Sequence, residues 1–338
     1  MCATHKRFLF VLGYFLFAGF TNVTSRAQEQ TKDSSKLAIL GNGQGIDHIG
    51  IVVRDLETAK NTYRNLGFTV FAGGIEQLGA PRPEWRNSPI YLESGILELL
   101  TSLDRTKTFG GMLANFLEKH EGALFLGLEA SPLDETAKFL RSRGYNVQGP
   151  KSGTMNDDPE QTDKSPRWGS WRLAGFETGP IPAAHLPTKS TDAIFFIQYD
   201  PSGVTVHANT AKKLSSVWMA VKDLQASVRE YKSMGLPTSR KLVVTQLGAQ
   251  GQEIVAGQGS ILLLQPEKSD GKVASFLAER GAEGIMGVSL EVANLQTTRS
   301  LLEANTRRQF APYAGPFGKS ILIPPEFTHG VWMEFFQE

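Results

Sequence analysis

Four stretches of the chain share one alternation of apolar and polar positions. "HIGIVVRDLETAKNTYRNLGFTV" begins at His48, "LFLGLEASPLDETAKFLRSRGYNV" at Leu124, "SVWMAVKDLQASVREYKSMGLPT" at Ser216 and "GVSLEVANLQTTRSLLEANTRR" at Gly287. Each opens on an apolar run of strand length, crosses a short polar joint, and continues with apolar residues at helical spacing. In the first helix Leu56, Ala59, Tyr63 and Leu66 share one stripe. Gly67, Gly144 and Gly235 follow the first three helices as stops. Further strand candidates come after each helix: "FTVFAG", "SPIYLES" and "GILELLT" in the first unit, "YNVQG", "WGSWRLA" and "DAIFFIQY" in the second. The third has "KLVVTQL", "GQEIVAG" and "SILLLQP", and the fourth has "KSILIP" and "GVWMEFF". The repeated unit is therefore a strand, a helix and about three antiparallel strands.

The units group in pairs, because "FLEKHEG" precedes the second and "FLAERGAEG" precedes the fourth. This predicts one domain over residues 45–200 and another over residues 214–338, joined by a polar linker at 201–213. Residues 28–44, with "GNGQG", read as a flexible lead-in. Residues 1–27 have the layout of a secretory signal: a basic start, an apolar core at 8–20 too short to span a bilayer, and small residues up to Ala27. Cleavage there predicts an exported protein, periplasmic or secreted. It removes the single cysteine, Cys2, so the mature chain folds without disulfides. It also removes Lys6, Arg7 and Arg26, which turns a formal charge of +1 slightly negative. Neither nucleic acid nor, after cleavage, a membrane is an expected partner.

Two ionisable residues stand out on apolar strands. His48 shares a strand face with Ile46 and Gly50, and Glu98 shares one with Ile96 and Leu100. Such groups are costly to bury unless paired or coordinated. An imidazole with a carboxylate suits zinc, nickel, manganese or iron, and it equally suits a metal-free hydrogen bond. The chain has no Gly-x-Ser-x-Gly elbow, no phosphate-binding loop and no cysteine nucleophile in the mature sequence.

The βαβββ unit opening "DHIGIVVRDLETAKNTYRNLGF" resembles the vicinal oxygen chelate superfamily, and within it the glyoxalase-like domains. "YLESGILELL", "WRLAG" and "FFIQYD" resemble the later strands of one glyoxalase-like subfamily. The resemblance implies an α+β fold of four units, forming two glyoxalase/bleomycin-resistance-like domains whose curved mixed sheets cup a small molecule. It also implies a divalent metal bound by first- and last-strand residues, the positions of His48 and Glu98. Aligned on the strand–helix joint, His48 corresponds to Leu126, Ser216 and Gly287, and Glu98 to Gln198, Leu263 and Glu334. These positions do not supply the ligands of an extradiol dioxygenase. Pairing of unit one with unit four, as in some fused relatives, would join His48, Glu98 and Glu334 as a three-ligand site; otherwise Glu334 pairs with a nearby Arg or Lys.

Asn87, Arg167, Trp168, Trp171 and Gln198 are the candidate ligand-binding residues. Trp168 and Trp171 would form an aromatic wall beside the polar insertion "KSGTMNDDPEQTDK", or pack in the core. In the resembling subfamily an asparagine follows a Gly-rich hairpin, where Asn87 stands; a histidine often seen earlier in that hairpin is missing here, with Glu76 nearby. His329 is expected in a turn, His120 at an exposed helix end, and His185 and His207 in loops. Two functions follow as alternatives: a metal-dependent lyase or isomerase acting on a small carbonyl compound, or a metal-free module that sequesters a small hydrophobic or aromatic ligand. Export argues against a glutathione-dependent enzyme, and a homodimer is compatible with an open cup.

Overall fold

The computed structural model describes residues 37–79, 82–159, 170–198 and 205–338. The signal segment, the start of the lead-in, Arg167 and Trp168 lie outside the described residues. All four strand–helix units form: β1 (Gly45–Val52) with α1 (Leu56–Asn65), β5 (Gly122–Glu129) with α3 (Leu133–Ser142), β9 (Ala211–Ala220) with α4 (Leu224–Met234), and β13 (Gly284–Val292) with α6 (Leu295–Thr306). Asp55, Asp223 and Asn294 cap three of these helices, each accepting from a first-turn backbone N–H at 2.8–2.9 Å. Gly235 closes α4 at φ 98°, a left-handed conformation that glycine adopts without strain. Two inter-unit helices complete the set, α2 (Thr108–Lys119) and α5 (Lys272–Arg280).

Units one and two close on each other as an eight-stranded barrel in the order β1-β4-β3-β2-β6-β7-β8-β5. Its other strands are β2 (Gly74–Leu78), β3 (Trp85–Tyr91), β4 (Ile96–Ser102), β6 (Val147–Asp157), β7 (Ser170–Phe176) and β8 (Ile194–Gln198). One seam joins β1 to β5 and the other joins β2 to β6. The second seam corrects the sequence reading, because residues 151–157 of the supposed loop insertion belong to β6. Their backbone groups are satisfied by β2 and β7, and only the inward positions Gly153 and Met155 need be buried, so the strand tolerates a polar sequence. "FTVFAG" forms no ladder, and the strand begins at Gly74 instead.

Units three and four form an open eight-stranded sheet in the order β10-β11-β12-β9-β13-β16-β15-β14. Its remaining strands are β10 (Thr238–Val244), β11 (Ala249–Ala256), β12 (Gly259–Pro266), β14 (Tyr313–Gly315), β15 (Gly318–Ile323) and β16 (Trp332–Gln337). The largest apolar core is shared by both sheets, and it buries Ile51, Tyr63, Leu128, Met219, Tyr231, Leu290 and Phe335 together. The described part of the lead-in is packed: Ile39 and Leu40 are buried in this core, and Asn42 donates to Ser131 O at 2.7 Å. The described part of the linker is docked as well. His207 Nδ1 accepts from Thr69 N (3.0 Å) and its Nε2 donates to Tyr91 O (2.9 Å), which makes it a structural histidine despite its loop-like sequence.

Candidate active site

Inside the barrel, each of the four strands of unit one turns one polar side chain inward: His48 from β1, Glu76 from β2, Asn87 from β3 and Glu98 from β4. All four are buried. Alternation explains the selection, since Ile96 and Leu100 line the interior with Glu98 while Leu97 and Leu99 enter the shared core. Unit two contributes no charge to the described cavity walls; it supplies Phe125, Trp171, Leu173, Phe195 and Ile197, and Trp85 adds a further ring from unit one. Phe125 and Phe195 meet the His48 ring edge-on, at centroid distances of 6.1 and 5.3 Å. Between these walls lies a cavity of about 20 Å3.

The polar groups form one chain. A register shift between Ile46 and His48 makes Asp47 the extra residue of a β-bulge. His48 Nδ1 donates to Asp47 Oδ1 at 2.5 Å, and His48 Nε2 lies 3.6 Å from Glu98 Oε2. Asn87 Nδ2 donates to Glu98 Oε1 at 2.8 Å and also to Glu76 Oε1, while Asn87 Oδ1 accepts from Gly74 N at 3.0 Å. The amide therefore clamps two carboxyl groups side by side. Burial lowers the His48 pKa, but the Asp47 hydrogen bond and the charges of Asp47 and Glu98 outweigh it, and the net shift is upward. Burial, the Glu98 charge and the hydrogen bond to Glu98 push Glu76 well above the usual carboxylate range. Both shifts favour the protonated forms, of the His48 ring and of the Glu76 carboxyl. Trp171 adds a buried indole N–H with no partner among the described residues.

His48, Glu98, Asn87 and Trp171 are thus brought together as candidates, while Glu76 was noted only where a histidine is missing. Its signal was an ionisable residue at an inward position of a short strand. Glu334 does not join them, because unit one pairs with unit two. It lies on β16 in the other sheet, where Oε2 accepts from Ser289 Oγ (2.6 Å) and Oε1 from Tyr313 OH (2.6 Å). Its partners are hydroxyls, not the expected Arg or Lys, and burial raises its pKa.

Gln198 is also corrected. Its Oε1 accepts from Leu133 N at 2.8 Å, at the first turn of α3. Gln265 does the same for Leu224 N and Gln337 for Leu295 N, both at 3.0 Å. The three glutamines are one repeated helix-start contact, three residues after the position of Glu98 in each register. Counted this way, the counterparts of His48 and Glu98 in unit two are Phe125 and Phe195, not Leu126 and Gln198, and the unit-three counterpart of Glu98 is Leu262. Replacing Gln198 or Gln265 with alanine should therefore cost about 1 kcal/mol each. Urea unfolding measures this, and an unchanged midpoint in both variants would remove the capping role.

A glyoxalase-like domain family model matches residues 46–235, more than half of the chain. The chain belongs to this family of glyoxalase-like domain proteins. Among solved structures, a triple mutant of 4-hydroxymandelate synthase from Streptomyces coelicolor is similar, with a TM-score of 0.60 and 14% identity over 87% of this chain and 92% of that one. A hypothetical protein from Staphylococcus aureus has a TM-score of 0.55 and 14% identity, over 87% and 99% of the two chains. Both likenesses concern the fold alone. No curated protein sequence matches the chain.

The donor set can be compared with the divalent metal that the resemblance implies. His48 and Glu98 face each other, but the unit-two positions that would complete the set hold Phe125 and Phe195. Among the described residues, no group of three His, Cys, Asp or Glu side chains is arranged to hold a metal ion. The residues do not fit such a metal.

Proposed function

We propose that the first barrel is a metal-independent proton-transfer site acting on the carbonyl end of a small molecule, as an isomerase or lyase. The observation that carries this reading is the Glu76–Asn87–Glu98–His48 cluster, buried where the fold does not require it. The chain provides its own comparison, because at the His48 and Glu98 positions unit two has Phe125 and Phe195 and unit three has Ser216 and Leu262. Units built from those residues fold without a charged pair. A space of about 20 Å3 admits a functional group and not a whole metabolite, so the body of the substrate would remain toward the mouth. In this mechanism Glu98 takes the proton from the carbon next to the carbonyl. The neutral carboxyl of Glu76 donates to the developing enolate oxygen, and the Trp171 N–H is a second donor for it. Asp47 holds the His48 ring so that its Nε2–H faces Glu98 and sets the basicity of that carboxylate.

The test is α-proton exchange of small aldehydes and ketones in D2O, followed by NMR. Exchange by the wild-type protein that Glu98→Gln abolishes would support the reading. Metal bound near one equivalent and lost in both His48→Ala and Glu98→Gln would overturn its metal-independent form. The four aromatic rings favour a second reading, in which the cup captures a small hydrophobic or aromatic molecule without turnover. Saturable binding with no exchange would select it. With the signal expected at residues 1–27, either function would operate outside the cytoplasm. N-terminal sequencing of exported protein should then begin at Gln28, and retention of those residues would remove this part.

A further inference from the structure

We propose a second binding site, in the crevice between the two halves, for an organic anion with an apolar body. Arg280, the last residue of α5, lies between the Phe116 and Phe276 rings at 5.4 and 5.3 Å. Its Nη2 donates to Glu121 O at 2.6 Å, its Nε is buried with no partner, and no carboxylate pairs with it among the described residues. Burial pulls its pKa down to about 10, a sign of the cost of keeping this charge out of water. A cation held between two rings without a carboxylate is costly unless an anion reaches it.

The surroundings fit that anion. Arg280, Lys119, His120 and Phe276 line two cavities at once, of about 550 and 220 Å3. The first is the polar chamber and adds Arg54 and Lys272, and its volume is in the range of small-molecule sites. It also contains three acids, Glu121, Asp270 and Glu279, against four cations, and Glu121 is already engaged by Arg54 N (2.7 Å) and His329 Nδ1 (2.9 Å). The second chamber is walled by Phe116, Leu124, Leu186 and Ile285 and suits a hydrocarbon or aromatic body. A carboxylate at Arg280 and Lys119 with its body among these side chains would satisfy both chambers. None of these residues belongs to the barrel cluster, so this site is independent of the carbonyl site.

Calorimetric titration of the full mature protein with octanoate, against octanol as the uncharged match, tests the site. Octanoate should bind saturably and octanol at least tenfold more weakly. Arg280→Gln and Lys119→Ala should each weaken octanoate by tenfold or more, Arg280→Lys should recover part of the loss, and Glu98→Gln should change nothing. Arg280 packs on two rings, so thermal unfolding accompanies each variant; if Arg280→Gln does not fold, Lys119→Ala decides. Equal binding of octanoate and octanol, no binding of either, unchanged affinity in Lys119→Ala, or loss in Glu98→Gln would each overturn the proposal.

Discussion

Replacing Glu98 with alanine should lower the unfolding free energy by about 3–5 kcal/mol at neutral pH, the cost of removing one partner from a buried ion pair. The side chain is buried against His48 and accepts from Asn87. Its loss removes the carboxyl that faces His48 Nε2 and one of the two acceptors of the Asn87 amide, leaving His48 to Asp47 and Asn87 to Glu76. Glu76→Gln should act oppositely, because glutamine keeps the shape and has no proton to lose. In the fold Glu76 titrates well above the usual carboxylate range, so the folded chain holds a proton that the unfolded chain releases above about pH 4.3. Wild-type stability from this group is complete below that pH and declines as pH rises toward the folded value. His48, also raised in the fold, adds a loss of the same sign starting from about pH 6.5. The advantage of Glu76→Gln over wild type should therefore be absent near pH 4 and grow as pH increases. Urea unfolding across this range measures both variants. A Glu98→Ala cost below 1 kcal/mol, or a Glu76→Gln difference independent of pH, would show that these carboxyls do not share the coupled state described here. Stability gained by neutralising Glu76 would mark it as a residue the barrel carries at a cost, which is how active-site groups behave.

The repeated fold was legible because the unit recurs four times, and each copy carries the strand and helix periodicities that burial imposes. What escaped was set by contacts distant in sequence. The closing of units one and two into a barrel depends on the β2–β6 seam, where residues 153–157 are held by backbone hydrogen bonds that leave no hydrophobic pattern. The His48–Glu98 pair could be read because both break an apolar strand. Glu76 could not be weighed as highly, since its strand is short and half polar and only the barrel places it against Asn87. The alignment of unit two differs by one residue at its first strand and by three at its last, and the first difference has a local cause. Ser131 and Pro132 start α3 where an aspartate caps α1, and a shift of one residue in a strand exchanges a cavity-lining phenylalanine for a core leucine.

The other sheet should respond to a different substitution, and the response separates a site from a scaffold. Trp218→Ala should cost about 3–5 kcal/mol, as for other large-to-small changes of buried aromatic residues. Trp218 is buried among Leu262, Leu264, Met286, Val244 and Leu247, with α5 contributing Val273. Gly287 makes room for it, since a Cβ there would lie 2.6 Å from the indole. The indole Nε1 donates to Ser289 Oγ at 2.9 Å, and that hydroxyl donates to Glu334, so the ring also orients a hydrogen bond to the buried acid. Where the barrel keeps a cavity beside His48 and Glu98, this sheet places a tryptophan and satisfies its carboxyl internally. Added indole should recover part of the stability of Trp218→Ala by filling the space, as apolar ligands enter engineered cavities. Trp218→Phe should lose less and leave proton exchange by the first barrel intact. A cost below 1 kcal/mol with no effect of indole would mean that Trp218 does not plug this face, and the second half would then need testing for a site of its own. The expected cost with rescue would show that Trp218 fills, in the second sheet, the space that the first barrel leaves open beside His48 and Glu98.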